Sequence, residues 1–422
     1  MQRVIQVDER PSLAASIPLS LQHLFAMFGS TVLVPILFHI NPAICLLMNG
    51  IGTLLYLIIC KGKIPAYLGS SFAFLSPVAA VFVGGGTYQD ALGGFIVTGV
   101  IFTVVGLLVK AVGTRWIDVV FPPAAMGAIV AVIGLELVPT AASMAGIIRP
   151  GDAPADWAFD PKVITVSLAT LLLTIIGNVL FRGFFKIIPI LIGIVFGYVL
   201  AALFGMVDFT SVQQAPFFSL PEFYSPRFSW SAIAIIAPAA LVVIAEHIGH
   251  LIVTSNIVGK DLSTDPGLDR SLLGNGISTI VSGFVGSTPN TTYGENIGVL
   301  ALSKVYSTWV IGGAAVFAIV LSFFGKLSAL IMTIPVPVMG GVSLLLFGVI
   351  ASSGIRMLVE TKVDYAKPTN LILSTVVLVI GISGATFAWG SFVLKGMALA
   401  TVVGILLSLF FKLIEKLGWA NE

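Results

Sequence analysis

The chain has 422 residues, 57% of them hydrophobic and only 9% charged, with a mean hydropathy of +1.08. A soluble domain carries roughly 25% charged residues, and no water-soluble monomer of this length has a core large enough to hide so much apolar surface. The solvent is therefore lipid, and a net charge of +2 is too small to suggest nucleic-acid binding.

Met1–Ser16 is polar, and no cleavable leader is expected there, because the first apolar segment is long enough to be a span. A helical span takes about 20 apolar residues. Ile17–Phe38 and Ala43–Cys60 come first, followed by Pro65–Val78, which is short and interrupted. Ala91–Lys110, Ile117–Leu137, Val163–Phe181 and Ile187–Phe204 complete the first half. The second half runs Trp230–Ile252, Ser271–Phe284, the interrupted Ser287–Ser303, Val310–Phe324, Val338–Ala351, Leu371–Ala385 and Met397–Phe411. Cys45 and Cys60 fall on one predicted helix about 22 Å apart, too far to bridge, and read as small buried apolar residues.

Counting both interrupted segments gives fourteen spans. With a cytoplasmic N-terminus, this count puts 16 of the 21 Lys and Arg inside, Arg3 among them, and leaves Arg149, Lys162, Arg227, Lys326 and Lys395 outside. That is the positive-inside bias, and dropping either short span mixes the charges. The chain also repeats itself. Pro122-Pro-Ala-Ala-Met-Gly127 resembles Pro335-Val-Pro-Val-Met-Gly340, Gly69-Ser-Ser71 resembles Gly286-Ser-Thr288, and Gln22-His23 resembles Glu246-His247. The offsets of 213, 217 and 224 residues are close to half the chain. Seven spans per copy is an odd number, so the second copy runs upside down, as in inverted-repeat secondary transporters. The two interrupted spans occupy matching places. Unwound backbone at membrane depth leaves N–H and C=O groups that lipid cannot satisfy and a polar guest can.

Nearly all acidic residues lie in loops or at span ends; Glu246 in the eighth span and Glu295 in the tenth do not. A carboxylate near the bilayer centre costs about 2.5–3.5 kcal/mol or more, so it must face a cavity, find a partner or hold a proton. His250 lies one turn after Glu246 on the same helical face and suits a proton relay, whereas His247 is about 100° round and faces elsewhere. Within Gly286-Ser-Thr-Pro-Asn-Thr-Thr-Tyr-Gly-Glu-Asn-Ile-Gly298, Pro289 prevents a continuous helix, and a helix starting near Thr292 aims free amides inward. The counterpart Leu68–Pro77 carries Phe72, which offers both an amide and a ring. His23, Ser71, Tyr293 and Asn296 are candidates for a supporting ring of contacts. The sequence contains no metal or nucleophile constellation, so neither a metal nor an enzyme activity is expected.

Glu295-Asn-Ile-Gly-Val-Leu-Ala-Leu-Ser-Lys304 resembles the signature of the nucleobase–ascorbate transporter family, with Ser303 where Thr is usual. Gln22-His23 resembles that family's first-span pair. Ser16–Gly29, Gly62–Phe72 and Ala245-Glu-His-Ile-Gly-His250 bring the chain nearest to its bacterial uracil–proton branch. The resemblance implies an all-α polytopic membrane protein. Its 14 transmembrane segments form a 7+7 inverted repeat, with short strands in the broken third and tenth. A core of spans 1–4 and 8–11 (residues 1–115 and 230–327) holds substrate, and a gate of spans 5–7 and 12–14 (residues 116–229 and 328–422) moves against it and forms a homodimer. Carried over by motif position, uracil contacts Glu246, Glu295 and the amides of Phe72 and Gly294, and Glu246, His250 and Glu295 handle the proton. The proton is the coupling ion, with no other cofactor. The expected location is the bacterial inner membrane with both termini cytoplasmic. Purine transport (xanthine or urate) and an anion exchanger or channel of the same fold remain as alternatives. Two carboxylates fit a neutral ring with N–H donors better than an anion.

Overall fold

In the computed structural model, which describes residues 4–151, 153–390 and 392–419, the apolar runs become helices whose starts are written in local chemistry. Arg3 lies outside the described residues. Proline opens α2 (Pro42–Ile59), α5 (Pro123–Met144), α6 (Pro161–Leu180), α7 (Pro189–Leu203) and α13 (Pro368–Ile382), where its missing N–H costs nothing. Asn41 caps α2 by accepting the Ala43 N–H at 2.9 Å, and Asp160 caps α6 by accepting that of Lys162 at 2.8 Å. Thr87 and Asp90 form a capping box at the start of α4 (Tyr88–Val112).

The other long elements are α1 (Leu13–Leu37), α3 (Phe72–Val83), α8 (Trp230–Val258), α9 (Leu268–Val285), α10 (Gly294–Ser303), α11 (Thr308–Ser322), α12 (Val336–Glu360) and α14 (Gly396–Lys416). Eight of these helices are long and apolar enough to cross a membrane: α1, α2, α4, α5, α6, α8, α12 and α14. Large apolar side chains on their outer faces stay uncovered, such as Val179 on α6 at 74% and Trp230 on α8 at 86%. This is a multi-pass membrane protein.

The interrupted segments each contain a three-residue strand, β1 (Leu68–Ser70) and β2 (Asn290–Thr292), paired antiparallel with Gly69 opposite Thr291. Because residues 290–292 give their backbone groups to β1, the following helix starts at Gly294 rather than near Thr292 as the sequence suggested. A second hairpin, β3 (Thr386–Trp389) with β4 (Phe392–Lys395), joins α13 to α14. The hydropathy pattern had extended the thirteenth span to Ala385, but α13 ends at Ile382. The twelfth segment, expected to end at Ala351, runs on as helix to Glu360: Ser352-Ser-Gly-Ile-Arg356 ends the apolar run, but Gly354 packs directly on the α5 backbone at Gly127 and Ala131.

The closest helix contacts fall into two sets. In the first, α4 packs on α9, α2 on both α9 and α11, α1 on α11, and the first part of α8 on α4. In the second, α12 packs on α5, α6 and α7, α13 on α5 and α14, and α6 on α7. Small residues let backbones meet at the crossings. A Cβ on Gly276 of α9 would stand 2.8 Å from the Thr103 nitrogen and 2.9 Å from the Gly99 oxygen of α4. Gly276→Val should therefore destabilise the protein by about 1–3 kcal/mol or more, since backbone rather than a mobile side chain must yield. A thermal melt in detergent tests this; a parent-like midpoint would contradict the crossing described.

Candidate functional site

The β1–β2 pairing leaves one edge of each strand without a strand partner. On α2, Thr53 closes the edge of β1, its Oγ1 taking the Leu68 N–H at 2.9 Å and donating to the Leu68 carbonyl at 3.3 Å. On α9, Thr279 does the same for β2, at 3.2 Å from the Asn290 nitrogen and 3.3 Å from its carbonyl. The two threonines end matching pentapeptides, Asn49-Gly-Ile-Gly-Thr53 and Asn275-Gly-Ile-Ser-Thr279, with an offset of 226 residues. Sequence reasoning missed these residues, although that repeat would have found them. Just beyond the ladder, the Ser71 N–H donates to the Pro289 carbonyl and the Tyr293 N–H to that of Tyr67, both at 3.0 Å.

Tyr293, expected as a supporting contact, clamps the strands. Its ring occupies the space a side chain on Gly69 would need, and its hydroxyl donates to the Ser70 carbonyl at 3.0 Å. Asn296 reaches α1 instead: its Nδ2 donates to the His23 carbonyl at 2.9 Å and lies 3.2 Å from His23 Nδ1. That carbonyl sits where α1 is interrupted at Met27, so the pair joins the broken tenth segment to the broken first helix. The Ser71 hydroxyl is buried with no protein partner among the described residues.

Both intramembrane carboxyl groups converge on the β2–α10 segment. Glu246 on α8, 9% exposed, accepts from Thr291 Oγ1 at 3.3 Å. Glu295, in the first turn of α10, accepts from Ser30 Oγ on α1 at 2.6 Å. Thr291, which holds the first carboxyl group, and Glu295 are four residues apart, so both groups are fixed at one short segment. His250, one turn after Glu246, places Nδ1 3.0 Å from Thr292 Oγ1 and turns Nε2 toward Gly294. His247 faces away, as its 100° offset requires. Its Nε2 is 2.8 Å from Ser271 Oγ, which is 2.7 Å from Tyr56 OH, and its ring packs edge-on against Tyr56 and Phe102.

Phe72 and Gly294 are the first residues of α3 and α10, so their amides have no acceptor within those helices. The helix starts bring two partial positive charges to the strand crossing that the carboxyl groups flank. The Phe72 ring meets Phe347 of α12 edge-to-face at 5.5 Å, a contact between the two helix sets. An apolar cavity of about 400 Å³ lies elsewhere, lined by Leu24, Phe28, Ile194 and Ile331, and offers a polar guest little to bind. Among the described residues, no cluster of three His, Cys, Asp or Glu side chains could hold a metal.

Paired strands inside two broken apolar segments, helix starts beside them and acidic groups flanking them define a secondary transporter of the broken-helix class. The fold is that of SLC26A9, whose solved structure superposes with a TM-score of 0.71 at 10% identity, covering 96% of this chain and 66% of that one. The profile of a permease family, Xan_ur_permease, matches residues 14–390, and the chain belongs to this family, the nucleobase–ascorbate transporters. It is accordingly a transporter and not an enzyme. The uracil permease of Paenibacillus larvae subsp. larvae is 72% identical over 420 residues, covering 100% of this chain and 99% of that protein. The uracil permease of Escherichia coli strain K12 is 65% identical over 417 residues, covering 99% and 96%.

Thr53→Val and Thr279→Val each remove a hydroxyl that closes a strand edge. Each should cost about 1–3 kcal/mol of stability, while Thr→Ser at the same positions should restore most of it. Thermal melts of the four variants test this, and equal stability of the Val and Ser forms would argue against the role.

Proposed function

We propose that this chain imports uracil together with a proton by alternating access. The observation that supports the reading is that Glu246, bonded to Thr291 of β2, and Glu295, in the first turn of α10, flank the paired strands after which α3 and α10 begin with the amides of Phe72 and Gly294. Uracil is a flat ring with two N–H donors and two carbonyl acceptors. The carboxyl groups accept from the former and the helix-start amides donate to the latter. A site that leaves buried groups unpaired with any other ring discriminates strongly. The names of the relatives at 72% and 65% identity support the same substrate.

Uracil is neutral, so membrane voltage does no work on it and accumulation needs a coupled ion. Two neighbouring carboxyl groups out of water repel when both are charged, and a proton on one of them relieves that repulsion. His250, bonded to Thr292 beside Gly294, passes the proton between Glu246, Glu295 and the aqueous side. His23, Asn296, Tyr293 and Ser71 hold the strands and α1 in place around the ligand. In this mechanism, proton and uracil enter together from outside, and their joint release inside resets the carrier.

The moving parts are the two helix sets. Residues 1–115 and 230–327 form the substrate-holding core, and residues 116–229 and 328–422 form the gate, which also makes a homodimer. Fourteen spans in a 7+7 inverted repeat account for the packing, because each contact has a counterpart seven helices on. Thus α4 on α9 matches α11 on α2, and α12 on α6 matches α5 on α13. We place the chain in a bacterial inner membrane with both termini cytoplasmic, following its Lys and Arg distribution.

Uracil at about 100 times its dissociation constant should stabilise detergent-purified protein by about 2.7 kcal/mol, seen as a raised melting temperature. The shift should vanish in Glu246→Ala and Glu295→Ala, and should not appear with sulfate. A shift with xanthine but not uracil would replace the substrate, and none with any nucleobase would reject the reading. In proteoliposomes, accumulation of labelled uracil should stop when the proton gradient is collapsed. Undiminished accumulation would rule out proton coupling.

A further inference from the structure

A third intramembrane carboxylate, Glu136, plays no part in the site above. It sits half-buried near the end of α5, and its Oε2 accepts the Met397 N–H at 2.7 Å, where α14 begins. That bond occupies one oxygen of the two. Glu136 also lines a cavity of about 280 Å³, and so does Lys395, the half-buried residue just before α14. Among the described residues neither of them forms a salt bridge, with the other or with any third side chain. The rest of the wall is mixed: Phe38 of α1 and Phe82 of α3 are aromatic, and Ser76 adds a hydroxyl. Ala79 and Thr140 on the lining are exposed, so the cavity is not sealed. Ser76 lies about one helical turn beyond Phe72.

A carboxylate can only accept hydrogen bonds, and an ammonium can only donate them. Left unpaired in one cavity, the two fit a guest that carries a donor beside an acceptor. A bare anion would meet the carboxylate and a bare cation the ammonium, so the cavity favours a neutral guest. Each carbonyl of uracil stands next to a ring N–H, and the flat ring can lie against Phe38 or Phe82. We propose that this cavity is an outer subsite where uracil pauses before it reaches the strands, its N–H on Glu136 and the adjacent carbonyl on Lys395. On the topology proposed above, the ends of α1 and α5 and the start of α14 face outward, so the cavity lies between the outside solution and Phe72. The subsite rests on the uracil reading and extends it to the route by which substrate arrives.

Two substitutions test it. Lys395→Met keeps an unbranched side chain and removes its donor. Glu136→Gln can keep the Met397 bond through its amide oxygen, which turns the amide NH2, a donor, toward the cavity where uracil needs an acceptor. In proteoliposomes each variant should raise the KM of labelled-uracil uptake about three- to ten-fold with kcat unchanged, the effect of losing one hydrogen bond during capture. The dissociation constant of uracil for the purified protein, set by the tighter strand site, should stay parent-like. A parent-like KM in either variant overturns the two-point subsite. A kcat lowered in step, or a weakened dissociation constant, also overturns it, because that is what a merely structural helix cap produces. Should Glu136→Gln not fold, Lys395→Met decides, since its side chain takes no part in the Met397 bond. A parent that binds no uracil rejects the substrate reading and the subsite together, whereas a parent that binds it while the variants keep its KM rejects the subsite alone.

Discussion

Everything in this molecule depends on one constraint: a backbone that leaves its helix inside the membrane must find partners for every N–H and C=O it frees. The paired strands β1 and β2 meet that demand for each other on one edge, and Thr53 and Thr279 meet it on the other. Pro289 and the flanking glycines forbid a helix; the partner strand and the threonines make its absence affordable. The groups left over are those at the helix starts, the amides of Phe72 and Gly294, and they are the groups a polar guest can use.

The acidic residues depend on this arrangement in turn. Thr291 and Thr292 give β2 two hydroxyls, one bonded to Glu246 and the other to His250, so the strand holds both α8 side chains. Glu295 is tied to α1 through Ser30, and its neighbour Asn296 is tied there through His23. The polar interior of the first helix set is thereby one connected network spanning α1, α8, α10 and the strands. The His247–Ser271–Tyr56 chain sits on the opposite side of α8 and anchors that helix to α9 and α2. Adjacent histidines thus have separate duties because a helix turns 100° between them.

Between the helix sets, α8 packs on α5 and α14, Phe72 meets Phe347 edge-to-face, and Met357 of α12 fills the space a side chain on Gly249 of α8 would need. Within the first set, backbones approach closely enough that Gly99 and Gly276 admit no side chain. A carrier that exposes substrate to one side and then the other needs parts that can move against each other.

Composition and hydropathy by themselves determined that this is a membrane protein, where its apolar segments lie, and which two of them are broken. Those properties follow from transfer free energy and from proline and glycine, which act locally. Glu246 and Glu295 were also legible, because a carboxylate inside an apolar run is conspicuous wherever the chain goes. The tertiary structure decided which groups meet. No local signal says that Tyr293 fills the space beside Gly69, that Asn296 reaches His23, or that Glu136 caps a helix 261 residues further on. It also decided the β3–β4 hairpin and the true start of α10, since a strand forms only where another edge is there to receive it. Pairing across 223 residues, as between Ser70 and Tyr293, is a property of the packed whole and of no single segment.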